Sequence, residues 1–197
     1  MGATAVNQRR LLHGGFAFFS EVLLTGMVLC LLSVPLVTLV PALAAGAAHL
    51  RRHLEGRPDT LADLWADVRG ALRSGGWLVS LAIVGLLVVL DLNSAIAASG
   101  VLPGGTLVQV VSAVVAGSAV VVVLRATGSW SRQRSWRETL RSAALASATD
   151  PAGSALLLTA VALCGVMVWM LTPLVFIVPG LLCLAVVAVE YRAERRA

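Results

Sequence analysis

The stretch VLLTGMVLCLLSVPLVTLVPALAAGAAHL, Val22 to Leu50, decides the fold: 29 residues with no fully charged side chain, interrupted by Pro35 and Pro41. A single helix of that length would run roughly 43 Å, well beyond a hydrocarbon core of about 30 Å. Proline lacks an N–H and drives the residue before it out of the helical region. The stretch therefore reads as a broken hairpin, one helix over 14–34, a turn over Pro35 to Pro41, and a return helix over 42–55.

The same device recurs near the other end. PLVTLVP at Pro35 to Pro41 is matched by PLVFIVP at Pro173 to Pro179, and each element leads through an aliphatic or small-residue helix into arginines. The uncharged 38-residue stretch from Ala152 to Val189 forms the second broken hairpin, with helices expected over 153–172 and 180–191. Two unbroken spans lie between the hairpins, at 77–98 and 106–124, joined by the uncharged turn SGVLPGG.

The whole-chain numbers agree with this pattern. Only 13% of the 197 residues are charged and 58% are apolar, with a mean hydropathy of +0.91. A soluble domain carries roughly 25% charged residues, so the composition excludes a water-soluble enzyme. The net charge of +5 comes from fifteen arginines and no lysine. They fall in four clusters separated by long uncharged stretches, the signature of cytoplasmic loops rather than of a nucleic-acid surface. Six spans put every arginine on one side, with both termini cytoplasmic and Gly100 to Gly105 outside. The expected fold is thus an all-α transmembrane six-span bundle of the bacterial inner membrane, one domain over residues 1–197. No cleavable signal peptide is expected, because the apolar run runs far past an h-region.

Two cytoplasmic loops read as amphipathic helices. In 60–73, Leu61, Leu64, Trp65, Val68 and Leu72 recur at helical spacing, with Thr60 and Asp63 placed as a capping box. In 136–148, Trp136, Leu140 and Ala144 continue one face behind Ser135 and Glu138, until Asp150-Pro151 stops it. Such helices lie in the headgroup layer or dock on a partner. Trp65, Trp136, Arg69 and Arg73 are the candidate interface residues, together with Ala44 and Ala48 on the small-residue helix 42–55, whose face can approach this bundle or another subunit.

No catalytic nucleophile and base, metal site or cofactor motif can be assembled. His13, His49 and His53 fall near the cytoplasmic side and read as solvated or interfacial; Cys30, Cys164 and Cys183 stand singly in apolar runs. There is no P-loop, so energised transport would need another subunit. Ionisable groups inside spans are costly and informative. Glu21 lies near the inner end of the first span. Asp91, about 21 Å past Trp77, falls in the outer half with Asn93 and, across the turn, Gln109. The two proline turns are expected at that depth and facing each other across the bundle, because return helices of some 15 residues reach only about 22 Å; Thr38 and Thr172 then join the group, either as a polar pocket or as an interhelical hydrogen-bond cluster.

The motif GGFAFFSE at Gly14 to Glu21, followed by LLSVPLVTLVPALAA at Leu31 to Ala45, resembles the N-terminal signature of the YesL-like family of bacterial membrane proteins. Trp65 and VRGALR at Val68 to Arg73 resemble that family's cytoplasmic segment, and the likeness covers about the first 80 residues. The resemblance implies a five- or six-span inner-membrane protein without a known catalytic residue, associated with carbohydrate ABC importers. The function it implies is a non-enzymatic accessory subunit of carbohydrate uptake, with ABC transporter membrane subunits and the bilayer as partners and no nucleic acid. The alternative is a small-solute-binding transport subunit similar in size and layout to the substrate-capturing components of ECF transporters.

Overall fold

The computed structural model describes residues 22–57, 60–99 and 104–195, and among these the secondary structure is entirely helical. Eight α-helices run in order: α1 Val22–Leu32, α2 Leu39–Leu54, α3 Leu61–Ala71, α4 Trp77–Ala98, α5 Gly105–Ser129, α6 Trp136–Thr149, α7 Pro151–Met170 and α8 Val178–Glu194. His13, the motif Gly14 to Glu21, Arg9, Arg10 and most of the α4–α5 turn lie outside the described residues.

Both proline elements break the helix as their sequence requires. Leu36–Thr38 and Thr172–Phe176 are short 3₁₀ turns, each between two α-helices. Thr38 donates its hydroxyl to the carbonyls of Leu32 and Pro35, at 2.6 Å for the latter, which satisfies carbonyls that the break leaves open. In the second turn Pro173 and Pro179 each sit near the start of a helix, where the missing N–H costs nothing.

Three helices, α4, α5 and α7, are long and apolar enough to cross a membrane. At about 1.5 Å per residue, α4 with 22 residues and α5 with 25 reach roughly 33 and 37 Å. The remaining helices gather at one end of these three, where α2 lies against α3, α5 and α8. That end also carries the described arginines and is called the basic pole below.

Small residues let this body pack closely. Ala42, Ala44, Ala45 and Ala47 of α2 are completely buried, and Gly46 faces Leu29 of α1 and Cys183 of α8. Gly26 and Gly180 bring α1 and α8 backbone to backbone: a side chain at Gly180 would collide with the Val22 carbonyl. Val22, Leu29, Leu50, Leu64, Val68, Leu124 and Val186 complete the main apolar core.

The α3–α4 junction is a π-helical turn over Leu72–Gly76 in which Gly75 adopts φ +98°, a conformation other residues enter only under strain. The turn lets α3 fold back along α2 while α4 departs. Gly76 then lies in contact with Pro41, and the Val40 N–H donates to Ser80 Oγ at 3.0 Å. The first proline turn thus meets α4 within one turn of its start, far from the α4–α5 tip.

Candidate functional site at the basic pole

The functional geometry begins with α3, whose buried stripe is only in part the one its apolar residues suggest: Leu64, Val68 and Leu72 pack into the core, and Leu61 and Trp65 do not. Leu64, Asp67, Val68 and Ala71 face inward, while Leu61 and Trp65 are exposed. Asp67 displaces the larger hydrophobes because both its oxygens are claimed. Arg52 of α2 meets Oδ2 at 2.5 Å, and Arg132, from the α5–α6 loop, meets Oδ1 through Nε at 2.7 Å and through a terminal nitrogen at 2.6 Å. The carboxylate is 3% exposed, and it ties together three segments that are distant in sequence.

A cavity of about 450 Å³ opens beside this clamp, lined by Ala48, Arg51, Arg52, Arg57, Asp67, Trp130, Ser131, Arg132 and Gln133. Arg51 donates to the Gly128 carbonyl near the end of α5, and Arg57 pairs with Glu55 at 2.8 Å. Two buried donors in the wall, Arg52 Nε and Trp130 Nε1, have no hydrogen-bond partner among the described residues. A second basic hollow of about 390 Å³ shares Arg132 and is lined by Trp65, Arg69 and Arg73, with the Arg69 guanidinium 5.0 Å over the Trp65 ring.

A separate ion pair anchors α7. Arg125, 1% exposed in the last turns of α5, donates to the Asp150 carboxylate at 3.0 Å and to its carbonyl at 3.1 Å. Asp150 also caps α7 by accepting from the Gly153 N–H at 3.1 Å. That N–H, followed by the Arg125 guanidinium, holds the Asp150 carboxyl below its ordinary range. Asp63 is lowered likewise by the Thr60 hydroxyl and N–H, within a capping box that forms as the sequence suggests.

The sequence-derived interface residues divide. Trp65 and Arg69 are exposed on α3, and Arg73 is exposed in the turn that follows it. Trp136 is not on a surface: it stacks on Trp130 with centroids 6.1 Å apart and donates Nε1–H to Ser74 Oγ at 3.0 Å and to the Ala71 carbonyl. The indole finds those acceptors in the π turn, which satisfies its one polar group inside the core. Ala44 is buried with Trp136, Trp130 and Ile83 in this chain's own body, and Ala48 is half-buried at the cavity wall. His49 is buried as well, not solvated.

The outer polar residues are dispersed. Asn93 donates to Ser112 at 3.0 Å, joining α4 to α5, and Gln109 is half-buried one turn before Ser112. Asp91 and Thr172 are exposed, and Asp91 makes no ion pair among the described residues. Thr38 belongs to its own turn, beside Val40, which is bonded to Ser80. Ser80 precedes Asp91 by about 16 Å along α4, so Thr38 and Asp91 do not share a pocket.

Asp67, Arg52, Arg132 and Trp130 are the residues that sequence reading missed as a group. The run HLRRHL marks one side of the clamp, but nothing in the periodicity of α3 distinguishes Asp67 from a solvated carboxylate. Among the described residues no three His, Cys, Asp or Glu side chains gather to hold a metal. Comparison with protein-family models, curated proteins and solved structures yields no match to this chain.

Proposed function

We propose that this chain is a multi-pass protein of the bacterial inner membrane, six membrane segments with both termini cytoplasmic, working as a non-enzymatic accessory subunit of a carbohydrate ABC uptake system. The membrane reading is supported by α4, α5 and α7, whose apolar side chains point outward along most of their length. The orientation is supported by the gathering of arginines at one pole. The uptake role follows the resemblance to the YesL-like family on Leu31 to Ala45 and Val68 to Arg73.

The observation that carries the accessory role is the outer face of α3. Trp65 is 47% exposed with Arg69 stacked on it, and Arg73 continues the row beside a hollow. An exposed Trp–Arg pair on a well-anchored helix has the composition of an interface hot spot. The occupant we assign is the cytoplasmic face of a transporter membrane subunit.

Affinity purification from the native host, followed by mass spectrometry, tests this. The wild type should retain importer membrane subunits, and the triple variant W65A/R69A/R73A should lose them while accumulating in the membrane normally. Retention of a shared ATPase module would favour the solute-capturing alternative. Equal recovery of importer subunits by wild type and triple variant would remove α3 from the interface.

A further inference from the structure

We infer that the cavity between α2, α3 and the α5–α6 loop is a binding site for a phosphate group, carried either by an anionic lipid headgroup or by a soluble phosphate. The inference stands apart from the accessory role, since it concerns what the chain holds by itself.

The chemistry of the wall sets the ligand. Four guanidiniums, those of Arg51, Arg52, Arg57 and Arg132, share the cavity with one carboxylate. That carboxylate, Asp67, has spent both oxygens on Arg52 and Arg132, and Glu55 is paired with Arg57, so the acceptors left in the lining are the neutral oxygens of Ser131 and Gln133. Arg51 is fixed through the Gly128 carbonyl. Arginine carries five donors in a planar fork, and each of these contacts uses only one or two of them.

Donors therefore exceed acceptors around a space of about 450 Å³. Arg52 Nε and Trp130 Nε1, on two residues of the wall, also lack a partner among the described residues, where buried polar groups are ordinarily paired. The missing component is an anion with several acceptor oxygens reachable from different directions. A tetrahedral phosphate fits, and arginine binds it bidentately with charge-assisted bonds. A purely structural cluster would balance its charges within itself, as Arg125 and Asp150 do at the start of α7.

The test uses the full-length protein in nanodiscs. One arm compares discs of phosphatidylcholine with discs containing phosphatidylglycerol, and native mass spectrometry counts lipids retained on the released protein. The other arm follows thermal unfolding in phosphatidylcholine discs during titration with inorganic phosphate, at constant ionic strength set with chloride. Arg57→Gln removes a cavity arginine that is largely exposed and pairs only locally with Glu55; Arg134→Gln removes an exposed arginine outside the cavity.

A lipid source predicts one retained phosphatidylglycerol in wild type and R134Q, bound about tenfold more weakly in R57Q, with no response to phosphate. A soluble source predicts saturable stabilisation by phosphate, right-shifted about tenfold in R57Q alone. The inference is overturned if neither ligand is bound, or if R134Q weakens binding as much as R57Q, which would reduce the effect to general surface charge.

Discussion

The two ends of the molecule are held together in opposite ways. At the basic pole, α2, α3, α6 and α8 bury alanine, glycine, tryptophan and a set of charged groups, and the contacts are specific: Asp67 with Arg52 and Arg132, Arg125 with Asp150, Trp136 with Ser74. The distal parts of α4, α5 and α7 instead turn Leu92, Leu107, Val114, Leu163 and Trp169 outward. Among the described residues, the side-chain hydrogen bond between the distal parts of α4 and α5 is that from Asn93 to Ser112. Specificity is concentrated where charged side chains can be desolvated against partners; in the proposed membrane, hydrocarbon around the distal helices would supply no hydrophobic force to order them.

The sharpest way to break this contrast is to remove the clamp. Asp67→Ala leaves Arg52 facing a buried void and unties Arg132, so it should lower stability by about 3–5 kcal/mol. Thermal unfolding of the purified protein reads this directly, and a loss under about 1 kcal/mol would make the clamp equivalent to an exposed ion pair. Next comes the close approach of α1 and α8. Gly180→Ala puts a methyl against the Val22 carbonyl, which is backbone and cannot swing aside, and should cost about 1–3 kcal/mol; a neutral result would mean that α1 does not seat there. The weakest structural effect belongs to the distal region, where Asn93→Ala should cost only about 0.6 kcal/mol. A loss as large as that of Asp67→Ala would erase the distinction between the poles.

Protonation sharpens the same comparison. Asp150 has its carboxyl lowered from 3.8 by the Gly153 N–H and Arg125. Its stabilising contribution is complete above about 3.8 and is lost as pH falls through the lower folded value. Stability of the wild type should therefore decline with acidification in that window, and Asp150→Asn should flatten the decline. An unchanged acid profile in the variant would assign the decline to other carboxylates.

Much of this architecture is legible in the chain. The limits of α4, the proline breaks, the capping box of Thr60 and Asp63, and the stop at Asp150-Pro151 all depend on neighbours within a few residues. What is not legible depends on pairing across long separations. The inward face of α3 is set by Arg52 and Arg132, fifteen and sixty-five positions from Asp67, and hydrophobic spacing alone points to Trp65 instead. Trp136 reads as a surface anchor until Ser74 and the Ala71 carbonyl are brought to its indole by the π turn. Arg125 reads as the first arginine of a loop because the helix ends five residues later than its apolar run, at Ser129. The supposed outer pocket fails for a similar reason: its residues share a depth only if the first proline turn reaches the far side, and Val40 is bonded to Ser80 instead.

The central claim is that the basic pole faces the cytoplasm and the α4–α5 tip faces outward across a membrane. Single cysteines at Gly104 and at Ser131, on a background with Cys30, Cys164 and Cys183 replaced, test it in intact cells with a membrane-impermeant maleimide. The account predicts labelling at Gly104 and protection at Ser131 until the membrane is permeabilised. Labelling at Ser131 with protection at Gly104 would contradict it, and labelling of both in intact cells would place the two poles on the same side.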